Sequence, residues 1–173
     1  CMNDPCLFIK VNNGVYYYIC VWVDDLIYFS SDKTFHLDFK TQIEKRFIIS
    51  DLAPLHWFLG MKLVCTPGQI TISQQQYIQA LLAKYGMEDC KASSTAMAEG
   101  LKLTRDDCPA EGSEEQIEVG KMDYRGLIGS LNYLATTSRP DIAFIAHALS
   151  GYLENPGLVH YTAGKHILRF LRG

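Results

Sequence analysis

An excess of basic charge, metal-ligand spacing and a membrane-length apolar run are all missing from this chain, and each absence removes a class of function. Sixteen basic against nineteen acidic residues leave a net charge of −3, which excludes a uniformly basic nucleic-acid binder but not a local basic surface. The six cysteines, at positions 1, 6, 20, 65, 90 and 108, form no CxxC pair and have no nearby histidine partner. Zinc-site spacing is therefore absent, and free thiols in a reducing compartment fit better than a disulfide scaffold. The longest apolar stretch, Val15 to Phe29, is shorter than twenty residues and holds two carboxylates, so no transmembrane helix is expected. No glycine-rich phosphate loop and no Ser, His and Asp arrangement is evident, so P-loop and hydrolase readings lack support. No internal repeat and no secretory signal is visible, and both ends read as cut from something longer.

What is present suits a folded chain. Hydrophobic residues make up 48% and charged ones 20% of 173 residues, enough for one domain with a sizeable core, or one domain with an appendage. Charge is unevenly spread. Residues 1–87 carry seven basic and seven acidic side chains, 88–120 three and nine, and 121–173 six and three. The middle segment also collects Ser, Thr, Gly and Pro and reads as an exposed acidic connection.

Val15 to Val23 is β-branched and aromatic on both alternating faces, and Leu26-Ile27-Tyr28-Phe29 resumes the pattern after two aspartates. This predicts a hairpin covered on both sides. Ser31 or Asp32 is a candidate cap for a helix with a ridge of Phe35, Phe39, Ile43 and Phe47. His56 to Cys65 and Gln69 to Ser73 flank Thr66-Pro67-Gly68 as a second hairpin. Ser73 and Gln76 have capping-box spacing for a helix to about Tyr85, with Gly86 as its C-terminal cap. Three helices follow, from Asp123 to about Thr136, from Asp141 to about Leu153 and from Gly157 to about Leu171. The expected class is α+β, with antiparallel hairpins packed with helices and then helices alone.

Asp24 and Asp25 are the only charged residues between Lys10 and Asp32. They stand together at the tip of the most hydrophobic hairpin. Adjacent carboxylates repel, and a cation is their natural compensation. Hard oxygen ligands suit Mg²⁺ or Mn²⁺, the ions of phosphoryl and nucleotidyl transfer. An ordinary solvated turn explains the same residues. In the last helix, Lys165, Arg169 and Arg172 share a narrow face opposite Ile167, Leu168 and Leu171. Such a stripe suits either template and primer phosphates or plain solvent.

A series of motifs resolves part of this ambiguity. Trp22-Val23-Asp24-Asp25 between apolar strands resembles the Tyr-Val-Asp-Asp signature of reverse transcriptases. Phe47 to Leu55 followed by Phe58-Leu59-Gly60-Met61 is similar to segments of copia-type retrotransposon polyproteins, as is Ile72-Ser73-Gln74 followed by Tyr77, Leu81 and Leu82. Further on, Tyr124-Arg125-x-Leu127-Ile128-Gly129-x-Leu131-x-Tyr133-Leu134, Ser138-Arg139-Pro140-Asp141-Ile142 and the run from His160 to Gly173 keep the family order. The resemblance spans nearly the whole chain and is weakest over 88–120.

The resemblance implies part of an RNA-directed DNA polymerase. Residues 1–87 would be a partial palm and the start of the thumb, 88–120 a flexible acidic connection, and 121–173 a helical connection leading toward a ribonuclease H domain. Asp24 and Asp25 would be the catalytic and metal-binding pair, holding Mg²⁺ or Mn²⁺. In the family mechanism two such ions promote attack of the primer 3′-hydroxyl on the nucleotide α-phosphate. Trp22, Val23, Phe58, Leu59 and Gly60 would lie near nucleotide and primer. Implied partners are an RNA or DNA template with its primer, deoxynucleotides, and the fingers and ribonuclease H of the Pol polyprotein; no membrane is implied. The implied location is intracellular, in a cytoplasmic virus-like particle or the nucleus.

The chain departs from the family pattern in three places. Trp22 replaces the usual Tyr, exchanging a phenol for an indole. Ser50 stands before Asp51-Leu52-Ala53 where the family often has Lys, and Ala53 where it has Gly. The family's upstream aspartate motif has no counterpart, since only Asp4 precedes the hairpin. The fragment alone is therefore expected to be inactive. The competing expectation is a non-catalytic relic or a repurposed binding module that keeps the helices and their basic face.

Overall fold

The computed structural model describes residues 1–52 and 54–173; the family-motif position Ala53 lies outside the described residues. The chain divides into two compact units, Cys1–His56 and Trp57–Gly173. That division falls elsewhere than the boundaries drawn from composition at 87/88 and 120/121.

In the first unit, β1 (Leu7–Asn12), β2 (Val15–Trp22) and β3 (Asp25–Ser30) form an antiparallel meander in the order β1-β2-β3. Asn13 and Gly14, at φ 49° and 77°, make the two-residue turn between β1 and β2, a geometry whose twist matches that of the strands it joins. Register places Tyr18 opposite Ile9 and Phe29, and Cys20 opposite Leu7 and Ile27. One face of the sheet therefore carries Tyr16, Tyr18, Cys20 and Trp22 of β2, and the other carries Tyr17, Ile19 and Val21. Helix α1 (Phe35–Glu44) packs on the second face. Phe35 meets Tyr17 edge-on at 5.0 Å between ring centroids, and Phe39 lies 4.7 Å from Tyr28. The first face is open, with Ile9, Val11, Tyr16, Trp22 and Phe29 exposed. The expectation of strands covered on both sides is thus corrected, because one helix can cover only one face. Helix α1 also ends before Phe47, which is exposed. Thr34, not Ser31 or Asp32, is its N-cap. The Asp32 carboxylate accepts from the Thr34 amide and hydroxyl at 2.9 and 2.8 Å and from the Tyr17 hydroxyl at 3.0 Å, and these bonds hold its pKa below the usual carboxylate value.

The second unit begins with a smaller meander, β4 (Trp57–Phe58), β5 (Met61–Thr66) and β6 (Gln69–Ser73). The single strand expected over 56–65 is split by a turn at Leu59-Gly60. Helix α2 (Gln75–Lys84) follows. Its start corrects the capping-box reading. Gln74 is the N-cap and makes no side-chain capping bond, while Ser73 Oγ accepts only from the Gln75 amide at 3.3 Å. Its end follows expectation. Gly86 at φ 61° lets the Gly86 and Met87 amides turn back to the Ala83 and Leu82 carbonyls at 3.0 and 2.8 Å, the Schellman arrangement.

Helices α3 (Glu114–Gly120), α4 (Tyr124–Thr137), α5 (Ala143–Ser150) and α6 (Leu158–Arg172) complete the unit. Asp123 caps α4 by accepting from the Gly126 amide at 2.9 Å, as its position predicts. Asp141 instead sits in a 3-10 turn, its carboxylate accepting from Nε and Nη2 of the Arg139 guanidinium at 3.0 and 2.7 Å. Leu127, Ile128, Leu131 and Leu134 of α4 pack with Ile142, Leu149, Ile167 and Leu168, all fully buried. Their spacing of three and four residues makes one apolar stripe. The 88–120 segment contains a 3-10 turn at Arg105–Asp107 and α3, and its Leu101 and Leu103 pack against this core.

Buried His160 fastens the start of α6. Its Nδ1 accepts from the Gly157 amide at 2.9 Å, and its ring stacks on Tyr152 at 3.9 Å. Nδ1 accepts only in the neutral tautomer protonated at Nε2, and Nε2 has no hydrogen-bond partner among the described residues. Burial lowers its pKa.

Candidate functional site

The Asp24-Asp25 pair stands at the connection between β2 and β3. Trp22 and Asp25 are the last cross-strand pair, so Val23 and Asp24 form a two-residue turn. Val23 has φ 52°. A positive φ at the first turn position alone is the pattern of a type II′ turn, which favours glycine there. A β-branched residue in this region is strained by about 1–3 kcal/mol, and such strain clusters at functional sites. The turn lifts both carboxylates into solvent. Trp22, Val23, Asp24 and Asp25 are all exposed, Val23 at 85%.

Neither aspartate enters a salt bridge among the described residues. Nor do the described residues bring together three or more His, Cys, Asp or Glu able to hold a metal ion. The donor set is thus two adjacent carboxylates. That fits Mg²⁺, which commonly takes one or two carboxylates and keeps its other positions for water or substrate phosphate.

Phe58, Leu59 and Gly60 lie on the β4–β5 hairpin of the second unit. Phe58 pairs with Met61, leaving Leu59 and Gly60, at φ 50° and 77°, as the turn. The hairpin tip is tied to the helices: the Tyr133 hydroxyl of α4 donates to the Leu59 carbonyl at 3.3 Å. Tyr133 belongs to a motif legible in sequence, but no spacing rule signals that it reaches this turn.

The basic residues of α6 are differently employed. Arg169 Nε donates to the Lys91 carbonyl at 2.8 Å, and Arg172 donates to the carbonyls of Glu88, at 2.6 Å, and Cys90. The Lys165 ammonium lies 5.9 Å from the Tyr161 ring centroid. Two members of the predicted stripe therefore fasten the 88–91 segment to α6. His166 Nε2 adds contacts to Ser93 Oγ at 3.1 Å and the Thr95 carbonyl at 3.0 Å. A cleft of about 750 Å³ opens nearby, lined by residues including Gln74, Glu88, Ser138 and Arg172. Within it the buried Gln74 Oε1 accepts from Ser138 Oγ at 2.6 Å.

Comparison with known proteins points the same way as the motifs. A family model described as reverse transcriptase (RNA-dependent DNA polymerase) matches residues 3–99. The chain is 37% identical over 174 residues to the retrovirus-related Pol polyprotein from transposon TNT 1-94 of Nicotiana tabacum, covering 99% of this chain and 13% of that protein. It is 34% identical over 172 residues to the retrovirus-related Pol polyprotein from transposon RE1 of Arabidopsis thaliana, covering 99% of this chain and 11% of that protein. An Arabidopsis thaliana protein named only as an uncharacterized mitochondrial protein is 31% identical over 156 residues, covering 90% of this chain and 61% of its own length. No solved structure matches. Among the described residues no helix is long and apolar enough to cross a membrane.

Proposed function

The chain belongs to the reverse transcriptase (RNA-dependent DNA polymerase) family, and on that premise we propose that it is the part of a copia-type Pol polyprotein that carries the Asp24-Asp25 metal-binding turn of the polymerase. The observation that carries this reading is the turn itself. A strained, exposed two-residue connection presents two adjacent carboxylates at the end of paired strands, inside a family motif.

Asp24 and Asp25 would hold Mg²⁺ or Mn²⁺, which supplies charge stabilisation for nucleotidyl transfer to a primer 3′-hydroxyl when bound. The chain's own residues do the rest by position. The Trp22-Asp25 pairing fixes the turn, and the indole of Trp22 adds an aromatic wall beside the carboxylates for nucleotide or primer. Phe58, Leu59 and Gly60 would lie against the primer end, with Gly60 the exposed residue of their turn. Template, primer and deoxynucleotides are the partners of this reading, with the rest of the polyprotein. Lys165 adds a phosphate contact on α6, with Arg169 and Arg172 contributing what their carbonyl bonds leave.

Among the described residues no third ligand joins the two carboxylates, which leaves a two-ion site incomplete, and on this reading the 173 residues alone should not polymerise. Primer extension tests both halves of this reading. The chain alone should give no product, and Asp24→Asn in the intact polyprotein should abolish Mg²⁺-dependent extension. Robust synthesis by the chain alone, lost on Asp24→Asn, would overturn the inactivity; full extension by the polyprotein variant would overturn the role of Asp24.

A second reading is favoured by the core of Trp57–Gly173, which is built from that unit's own residues. In it the helical unit serves as a binding module without catalysis. Salt-dependent binding of a primer-template hybrid that survives Asp24→Asn but is lost on charge reversal at Lys165 would select it.

A further inference from the structure

We propose that Tyr133 is a positioning residue for the β4–β5 hairpin, holding the Leu59 carbonyl so that Phe58, Leu59 and Gly60 keep one arrangement for a primer terminus. The inference rests on the primer-end reading of that hairpin.

The hairpin has little of its own to fix it. Strand β4 is two residues long, with only the pairs Trp57–Lys62 and Phe58–Met61 before the turn. Leu59 must also hold φ 50°, a conformation that costs a side-chain-bearing residue energy and persists only where surroundings enforce it. Helix α4 supplies that enforcement. Leu127, Ile128, Leu131 and Leu134 bury one side of α4 completely, so Tyr133, between Leu131 and Leu134, departs from an anchored helix. Its ring is oriented by Tyr77 of α2, edge-on at 5.1 Å between centroids. From there its hydroxyl donates to the Leu59 carbonyl at 3.3 Å, joining positions 74 residues apart. The bond goes to the first residue of the turn, whose carbonyl direction sets the aim of the next amide, that of Gly60. A phenylalanine would keep the ring packing and lose the bond.

Amide hydrogen exchange on the full chain tests the inference. In Tyr133→Phe the amide of Met61, in the closing strand pair, should exchange about fivefold faster, the scale of one net hydrogen bond, while those of Leu127 to Leu134 stay at the wild-type rate. Unchanged exchange at the tip, or an equal rise along α4, would overturn it. Tyr133→Leu, which also loses the Tyr77 contact, should loosen the tip further.

Binding supplies a second readout that general destabilisation would not move selectively. Tyr133→Phe should reduce the preference for a duplex with a recessed primer 3′ end over a blunt duplex of equal length, with blunt-duplex affinity unchanged. An equal loss for both duplexes would overturn the positioning role. If the wild-type chain shows no preference for the recessed end, the primer reading fails, and the exchange rates alone decide for or against Tyr133 as the residue that fixes the tip.

Discussion

The hairpin unit, Cys1–His56, and the helical unit, Trp57–Gly173, use apolar side chains in opposite ways. In the first, aromatic rings meet one another, yet none of the described residues is buried. In the second, leucines and isoleucines of α4, α5 and α6 are withdrawn from water altogether. Composition does not separate them, since both are rich in apolar residues. Topology does: a three-stranded sheet with one helix covers a single face, whereas the apolar side of α4 packs against α5, α6 and the 3-10 turn at Pro140–Ile142. The Asp24-Asp25 turn thus sits on the unit that draws least stability from its own burial. Small units of this kind are marginal unless something else covers them.

The sharpest way to break this contrast is to cut one apolar side chain back to alanine in each unit. Leu131→Ala should cost about 3 kcal/mol, transfer plus cavity, and Phe35→Ala, on a half-exposed ring, about 1 kcal/mol. Segment-resolved hydrogen exchange in urea would follow each unit separately, and equal costs would defeat the comparison. A smaller effect is expected at the N-terminus of α4. Asp123→Ala removes the bond to the Gly126 amide and should lower the stability of the helical unit by about 1 kcal/mol. Asp123→Asn should restore most of it, and exchange rates in Cys1–His56 should not move.

The smallest effect concerns pH. Burial lowers the His160 pKa below its ordinary 6.5, while the facing carboxylates of Asp107 and Glu115 act against the shift. The unfolded chain then binds the proton more readily than the folded one, so stability is complete above about pH 6.5 and declines as pH falls from there through the lower folded value. His160→Asn keeps an acceptor for the Gly157 amide and removes the titration. Melting curves of the helical unit between about pH 7.5 and 5.5 should flatten in this variant. A wild-type curve already flat over that range would contradict the assignment. The lowered carboxyls of Asp107, Asp123 and Asp141 act only at more acidic pH, because their shifts carry them further below 3.8.

Much of the fold was legible because its signals are local. The 3.6-residue spacing of Leu127, Ile128, Leu131 and Leu134 marks α4 and its buried side, and Gly86 marks the end of α2. The turn at Trp22-Val23-Asp24-Asp25 was readable from two aspartates between apolar strands. Strand β1 was not expected, although Leu7, Ile9 and Val11 recur at strand period between Phe8, Lys10 and Asn12 and Asn13-Gly14 is a hairpin signal in its own right. The capping box at Ser73 and Gln76 failed because Gln74 took the cap position. The predicted cap at Asp141 failed because Arg139, two residues earlier, claimed its carboxylate.

What the sequence determined by itself is the family, the helices α2, α4 and α6, and the placement of the carboxylate pair at a turn, since each depends on residues within a few positions of one another. What only the tertiary structure decided is which faces are covered and what the long polar side chains do. Helical spacing put Lys165, Arg169 and Arg172 on one face, but whether a guanidinium meets a phosphate or a carbonyl depends on what lies beside that face. Here the carbonyls of Glu88, Cys90 and Lys91 lie within reach of the two arginines. Likewise, nothing within the motif around Tyr133 shows that its hydroxyl closes on Leu59, because the folded path, not the local sequence, brings those two positions together.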